Sequence, residues 1–213
     1  MFSVAVAIVL ICAATALACS AIIVFRSCSI VSSASSKTFY AVGKLCDRIS
    51  IARGQSAAER AAGRAGYVLA TDDGFMLVYA VYSGRGDATV VSERLGAGMI
   101  ELSARPSSFE DGREAEALDT LSEIVSETEK LWRALDEGTT SESLTVKQLN
   151  AYATAVAAYK SLPNVGGLCD EISVHLRSCA AGGEYPLTAD VKYVSALTAA
   201  RLDDFTRKDS FVD

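Results

Sequence analysis

One histidine, His175, is present in the chain, so any imidazole acid–base or nucleophilic scheme must run through it. It stands three residues after Ile172 and four before Cys179, so on a helix the imidazole and the thiol share one face. Such a pair can in principle generate a thiolate, but no third residue is placed by spacing to orient the ring. The expectation is a hydrogen-bonded, partly buried histidine on a packed helix. A second pattern, Asp119, Glu123 and Glu127, sets three carboxylates at successive i+4 steps. Like charges so placed repel by roughly 0.2–0.5 kcal/mol per pair, which a cation or a basic partner would relieve. Lys130 and Arg133 stand close by, so the expected state is a solvated acidic face open to interaction.

Arg85-Gly86-Asp87 falls where a turn is expected, the position an attachment ligand of that type would need. Turn chemistry alone also accounts for it. Gly84 and Gly86 lack the later glycine of a dinucleotide-binding loop, and there is no Gly-Lys-Ser/Thr or His-Glu-x-x-His pattern. Of six cysteines, Cys12 and Cys19 lie in an apolar run. The other four, Cys28, Cys46, Cys169 and Cys179, are an even number able to form two disulfides if the domain is exterior. No two cysteines have the spacing of a zinc site. No catalytic residue, metal or cofactor is assigned, and the expectation is a protein that is not an enzyme.

The stretch that would position everything else is Phe2 to Phe25, 24 positions without a charge. As a helix it spans the roughly 30 Å hydrocarbon layer of a bilayer. It is longer than a signal-peptide core, and Met1 leads directly into apolar residues with no basic flank. The reading is a single-pass transmembrane signal-anchor over residues 1–25, contacting membrane lipid through residues 2–25. From Arg26 to Arg64 seven basic residues face Asp47 and Glu59, a net of +5, whereas Ala65 to Asp213 carries 13 basic and 24 acidic residues, a net of −11. Basic residues beside a span favour the cytoplasmic side, which places the domain there. Lys37, Lys44, Arg48, Arg53, Arg60 and Arg64 are the candidate contacts to a partner or to anionic lipid. The acidic total of −6 excludes nucleic acid as a partner, since phosphate contacts need clustered Lys and Arg.

Residues 26–64 read as a basic helical stalk. Ser36 caps a helix from Lys37 with Phe39, Val42, Leu45, Cys46 and Ile49 inward, and Gly54 interrupts it. An Ala-rich helix, Gln55 to Arg64, follows, and its small face permits homo-oligomers. Residues 65–206 form an α+β domain. Tyr67–Ala70 and Phe75–Tyr82 make a hairpin through Asp73-Gly74 in a primed turn, Ala88–Ser92 is a third strand, and Met99–Leu102 a fourth. Tight connections predict an antiparallel four-stranded meander. Four helices pack on it. One opens at a Ser108–Asp111 capping box and runs to about Asp136, with Leu118, Leu121, Ile124, Val125, Leu131, Trp132 and Leu135 as its apolar stripe. The next is capped at Thr145, a third spans Leu168–Cys179, and the last opens at Thr188. Residues 207–213 are a tail. The function expected is a non-enzymatic, single-pass membrane-anchored assembly, scaffold or accessory subunit of a membrane protein complex. The alternative is an outward-facing, disulfide-bonded attachment or entry component of a cell surface or viral envelope.

Overall fold

The computed structural model describes residues 37–104 and 112–209. Within the compact unit Ser35–Asp213 the order is β1 (Lys37–Cys46), α1 (Ile49–Ala61), β2 (Tyr67–Thr71), β3 (Gly74–Tyr82), α2 (Arg85–Leu95), β4 (Gly98–Ala104), α3 (Gly112–Asp136), α4 (Glu142–Ala157), α5 (Gly166–Ala181) and α6 (Leu187–Asp209). The strands lie in the order β2-β3-β1-β4, each neighbouring pair antiparallel. The class is α+β with six described helices. The meander is corrected: only β2 and β3 are joined by a hairpin. β1 and β2 run parallel with β3 between them, and β3 and β4 run parallel with β1 between them. α1 and α2 make these two crossovers, giving two interleaved split β-α-β units.

Two misplaced elements produce that difference. The helical stalk from Lys37 is instead β1, the centre of the sheet. Phe39, Val42, Leu45 and Cys46 match helical spacing, but a short apolar run does not separate helix from strand. Phe39, Ala41 and Val42 are all buried, as a strand covered on both faces requires. Gly43 lies beside a register shift between Val42 and Gly43. A Cβ built there would sit 2.3 Å from the Leu77 carbonyl oxygen and 2.8 Å from Val78 Cα, so only glycine lets β3 approach. The third strand, Ala88–Ser92, is the interior of α2. Thr89-Val90-Val91 favours a strand locally. Yet Gly96 in the left-handed region (φ 58°) closes a helix, Asp87 occupies its first turn, and only Ala88 is buried while Val90 is exposed.

Other expectations shift by smaller amounts. α1 continues through Gly54, where a Cβ would meet nothing within 4 Å. The hairpin forms, but among the described residues only glycines have a positive φ, so Asp72 and Asp73 do not make a primed turn. α4 begins earlier than Thr145: Ser141 is the cap, its hydroxyl accepting from the Leu144 N–H at 3.3 Å. The stripe of α3 is as expected, with Leu118, Leu121, Ile124, Val125 and Trp132 buried. The Ser108–Asp111 capping box lies outside the described residues.

The membrane expectation is also corrected. No helix among the described residues is long and apolar enough to cross a membrane, and the run 2–25 lies outside them. The single-pass, signal-anchor architecture and the localisation drawn from it are accordingly withdrawn.

α6 is the hub of the packing. It touches β2, β3 and β4 on one side and α3 and α5 on the other, while α4 packs against α5. Val191, Val194, Leu197, Ala199, Ala200 and Leu202 are therefore all buried. Burial between two layers also takes in polar residues of this helix, among them Asp190, Lys192, Asp203 and Thr206, each with a hydrogen-bond or ion-pair partner.

Candidate functional site

An antiparallel sheet that does not close leaves two edge strands, each with unpaired N–H and C=O groups. Here they are β4 and β2. Near the carboxyl end of β4, α6 takes up the backbone of Ser103: its N–H donates to Asp203 Oδ1 at 2.8 Å, and the Thr206 hydroxyl donates to its carbonyl at 2.9 Å. Arg207 holds the same Asp203 at 2.7 Å. Among the described residues β2 has no strand on its outer side. Beside it runs α1, which presents Ile49, Arg53, Ser56 and Arg60 at i, i+4, i+7 and i+11, one stripe of the helix.

Between that stripe and the strand lies an open groove of about 320 Å³. Ile49, Arg53 and Ser56 form one wall, Gly66, Tyr67, Val68 and Ala70 the other, and Phe75 and Tyr193 complete it. Val68 and Phe75 pack on the small cluster of Cys46, Ala52 and Leu77 beneath α1. Ser56 donates its hydroxyl to the Gly66 carbonyl and ties helix to strand. Gly66 has φ 63°, and a Cβ there would fall 2.5 Å from Arg60 Cγ and 2.6 Å from the Ser56 carbonyl. The close approach of the two walls therefore depends on glycine at 66.

One end of the groove is braced by aromatic rings. The Arg60 guanidinium lies 4.2 Å from the Tyr185 ring centroid and 4.6 Å from that of Tyr193, and its Nη2 is 2.6 Å from Asp190 Oδ1. Tyr193 meets Tyr67 edge to face at 5.6 Å. Burial raises the Tyr67 hydroxyl pKa, with Arg201 opposing. Tyr67 thus stays neutral at ordinary pH.

The six basic candidates do not form one face. Arg60 is packed as above, and Arg64 pairs with Glu59 at 2.7 Å over the Tyr79 ring. Lys44 donates to Gln55 at 3.1 Å, Lys37 is half-buried at the start of β1 opposite Ala104, and Arg48 is exposed just before α1. Arg53 alone of the six lines the groove, exposed and without an ion pair among the described residues.

In the acidic stripe Asp119 and Glu123 are exposed, but Glu127 is engaged. It pairs with Lys130 at 2.6 Å and accepts from the Tyr152 hydroxyl at 3.5 Å. Burial, aided by Glu127 and opposed by a hydrogen bond from Gln148, pushes that hydroxyl up to about 12. His175 is half-buried, its ring 6.5 Å from Tyr193. Cys179 is buried, and desolvation pushes its thiol up to about 12, away from the thiolate a nucleophile needs. Cys46, Cys169 and Cys179 are free thiols, and Cys28 lies outside the described residues. Arg85-Gly86-Asp87 is exposed, but it is the first turn of α2 and not a hairpin tip. Its Asp87 pairs with Arg133 at 2.6 Å and its Arg85 lies 3.7 Å from Glu101. Among the described residues no three His, Cys, Asp or Glu are grouped to hold a metal.

Two sequence expectations conceal the groove. A break at Gly54 divides the stripe Ile49, Arg53, Ser56, Arg60, and a helix at Lys37 leaves no way to know that β2 is an edge. The signal available was that stripe itself, four residues on one face facing a short strand. No protein-family model, curated protein or solved structure was found to match the chain.

Proposed function

We propose that the chain is a non-enzymatic protein-interaction module, an assembly or accessory subunit that holds a partner along the β2 edge of its sheet. One observation carries this reading: α6 bonds the backbone of Ser103 on β4, while β2, with no strand on its outer side among the described residues, borders a groove walled by a helix. Strand addition to an exposed edge is a recurring mode of peptide recognition, in which main-chain hydrogen bonds supply affinity and flanking pockets supply selectivity. Ile49, an exposed apolar residue on the groove wall, fits that use. Arg85-Gly86-Asp87 stands in the first turn of a helix, with Asp87 paired to Arg133 of α3, and not at the hairpin tip the attachment reading drew on.

The test is isolation of the tagged full chain at native abundance under gentle conditions. A stoichiometric partner should be retained by the parent chain and lost from Ile49→Asp, a change at the exposed groove wall. Recovery of monomer alone, or retention of the same partner by the variant, contradicts the proposal.

A further inference from the structure

We infer that the occupant of the groove is an extended peptide segment of a partner protein carrying an acidic side chain that meets Arg53. This rests on the edge-pairing reading above and adds the chemistry of the partner. A strand laid on β2 alternates its side chains between the two faces of the sheet. On the α1 side they reach Ile49 and Phe75 toward the hairpin end and Arg53 midway; on the opposite side they reach Tyr67 and Tyr193. The α1 side therefore accepts an apolar side chain next to an acidic one, spaced by two along the peptide.

Charge selects the acid. The carboxylates nearest the braced end are already answered: Asp190 by Arg60 at 2.6 Å and Glu171 by Arg201 at 2.9 Å. Asp204 lies on the α6 side near Tyr67, and Asp72 and Asp73 sit in the hairpin turn beyond the strand. Arg53 faces the groove with no ion pair among the described residues, in a chain whose net charge is −6. A guanidinium in that position offers a forked, charge-assisted pair of donors to a carboxylate.

A random decapeptide library, displayed on phage and selected on the immobilised full chain, tests this. The parent chain should enrich alternating apolar sequences with one Asp or Glu, and replacing that acid by its amide should weaken binding about tenfold. Selection on Arg53→Glu should enrich Lys or Arg at the same place, an exchange that mere loss of structure does not produce; Arg53→Gln should lose the preference without reversing it. The selected peptide should slow amide exchange in Tyr67–Thr71. Sequences without an acid, or a preference unchanged by Arg53→Glu, overturn the acidic-peptide inference even where β2 becomes protected and edge pairing stands. Peptides protecting amides elsewhere, no enrichment, or a chain already dimeric with β2 protected overturn both the inference and peptide capture by the edge.

Discussion

Arg60 joins three parts of the protein through one side chain, being rooted on α1, stacked on two tyrosines and paired with Asp190 of α6. Asp190 is buried, so removing its cation leaves a charge with reduced access to water. Arg60 is a quarter exposed, which moderates the loss. Arg60→Ala should destabilise by about 2–3 kcal/mol in urea denaturation, with Arg60→Lys intermediate because the planar stack is lost and the charge kept. Ser195 makes the opposite case. Its hydroxyl is buried on α6 with no hydrogen-bond partner among the described residues. Ser195→Ala should therefore be neutral or stabilising by up to about 1 kcal/mol, read as an unchanged or raised Tm.

Thiols add a pH dependence at the same scale. Burial pushes Cys169 up to about 11 and Cys179 up to about 12 from an ordinary 9.0. In the unfolded chain both ionise near 9.0, whereas in the folded chain they remain neutral to higher pH. The stability they contribute is complete below pH 9 and lost as the pH rises through the folded values. Thermal stability should fall between pH 9 and about 12, and Cys179→Ala should flatten part of that fall. Both thiols should resist an aqueous thiol reagent at pH 8 unless denaturant is added.

Elements differed in how far their residues declared them. α3 was readable because a long stripe of Leu118, Leu121, Ile124, Val125 and Trp132 recurs at helical spacing over several turns. The β2–β3 hairpin was readable because its turn residues punctuate two apolar runs. β1 was not, because its ten residues are too few to separate period 2 from period 3.6 when both faces are buried. α2 was not, because the intrinsic preference of Thr89-Val90-Val91 opposes the caps and the packing of Ala88 that decide it. Edge status was beyond reach of the sequence, since it depends on where β1 inserts. The bulged centre of β1 makes that insertion testable. Gly43→Ala forces a Cβ onto the Leu77 carbonyl and should cost about 2–4 kcal/mol in a denaturant melt, far more than Gly54→Ala on exposed α1.

At the scale of the whole molecule, α6 divides the work. Its core-facing residues bind sheet to helical layer, and Asp203 and Thr206 near its carboxyl end take up the backbone of Ser103 on β4. Among the described residues β2 has no strand on its outer side, and we assign that edge to a strand from another chain, with α1 as a wall that selects for side chains. The charge split seen in the sequence does not make one basic face, because Arg60 and Arg64 are turned into packing and ion pairs. What remains for recognition at the groove is Arg53.

The most direct test places a photo-crosslinking amino acid at position 70, exposed on β2, or at position 103 on β4, in the full chain within its native cells. The account predicts a discrete adduct with a partner protein from position 70 and none from position 103. Adducts from position 103 alone, or from neither position while the chain still co-purifies with a partner, would contradict the claim that β2 is the edge that recruits it.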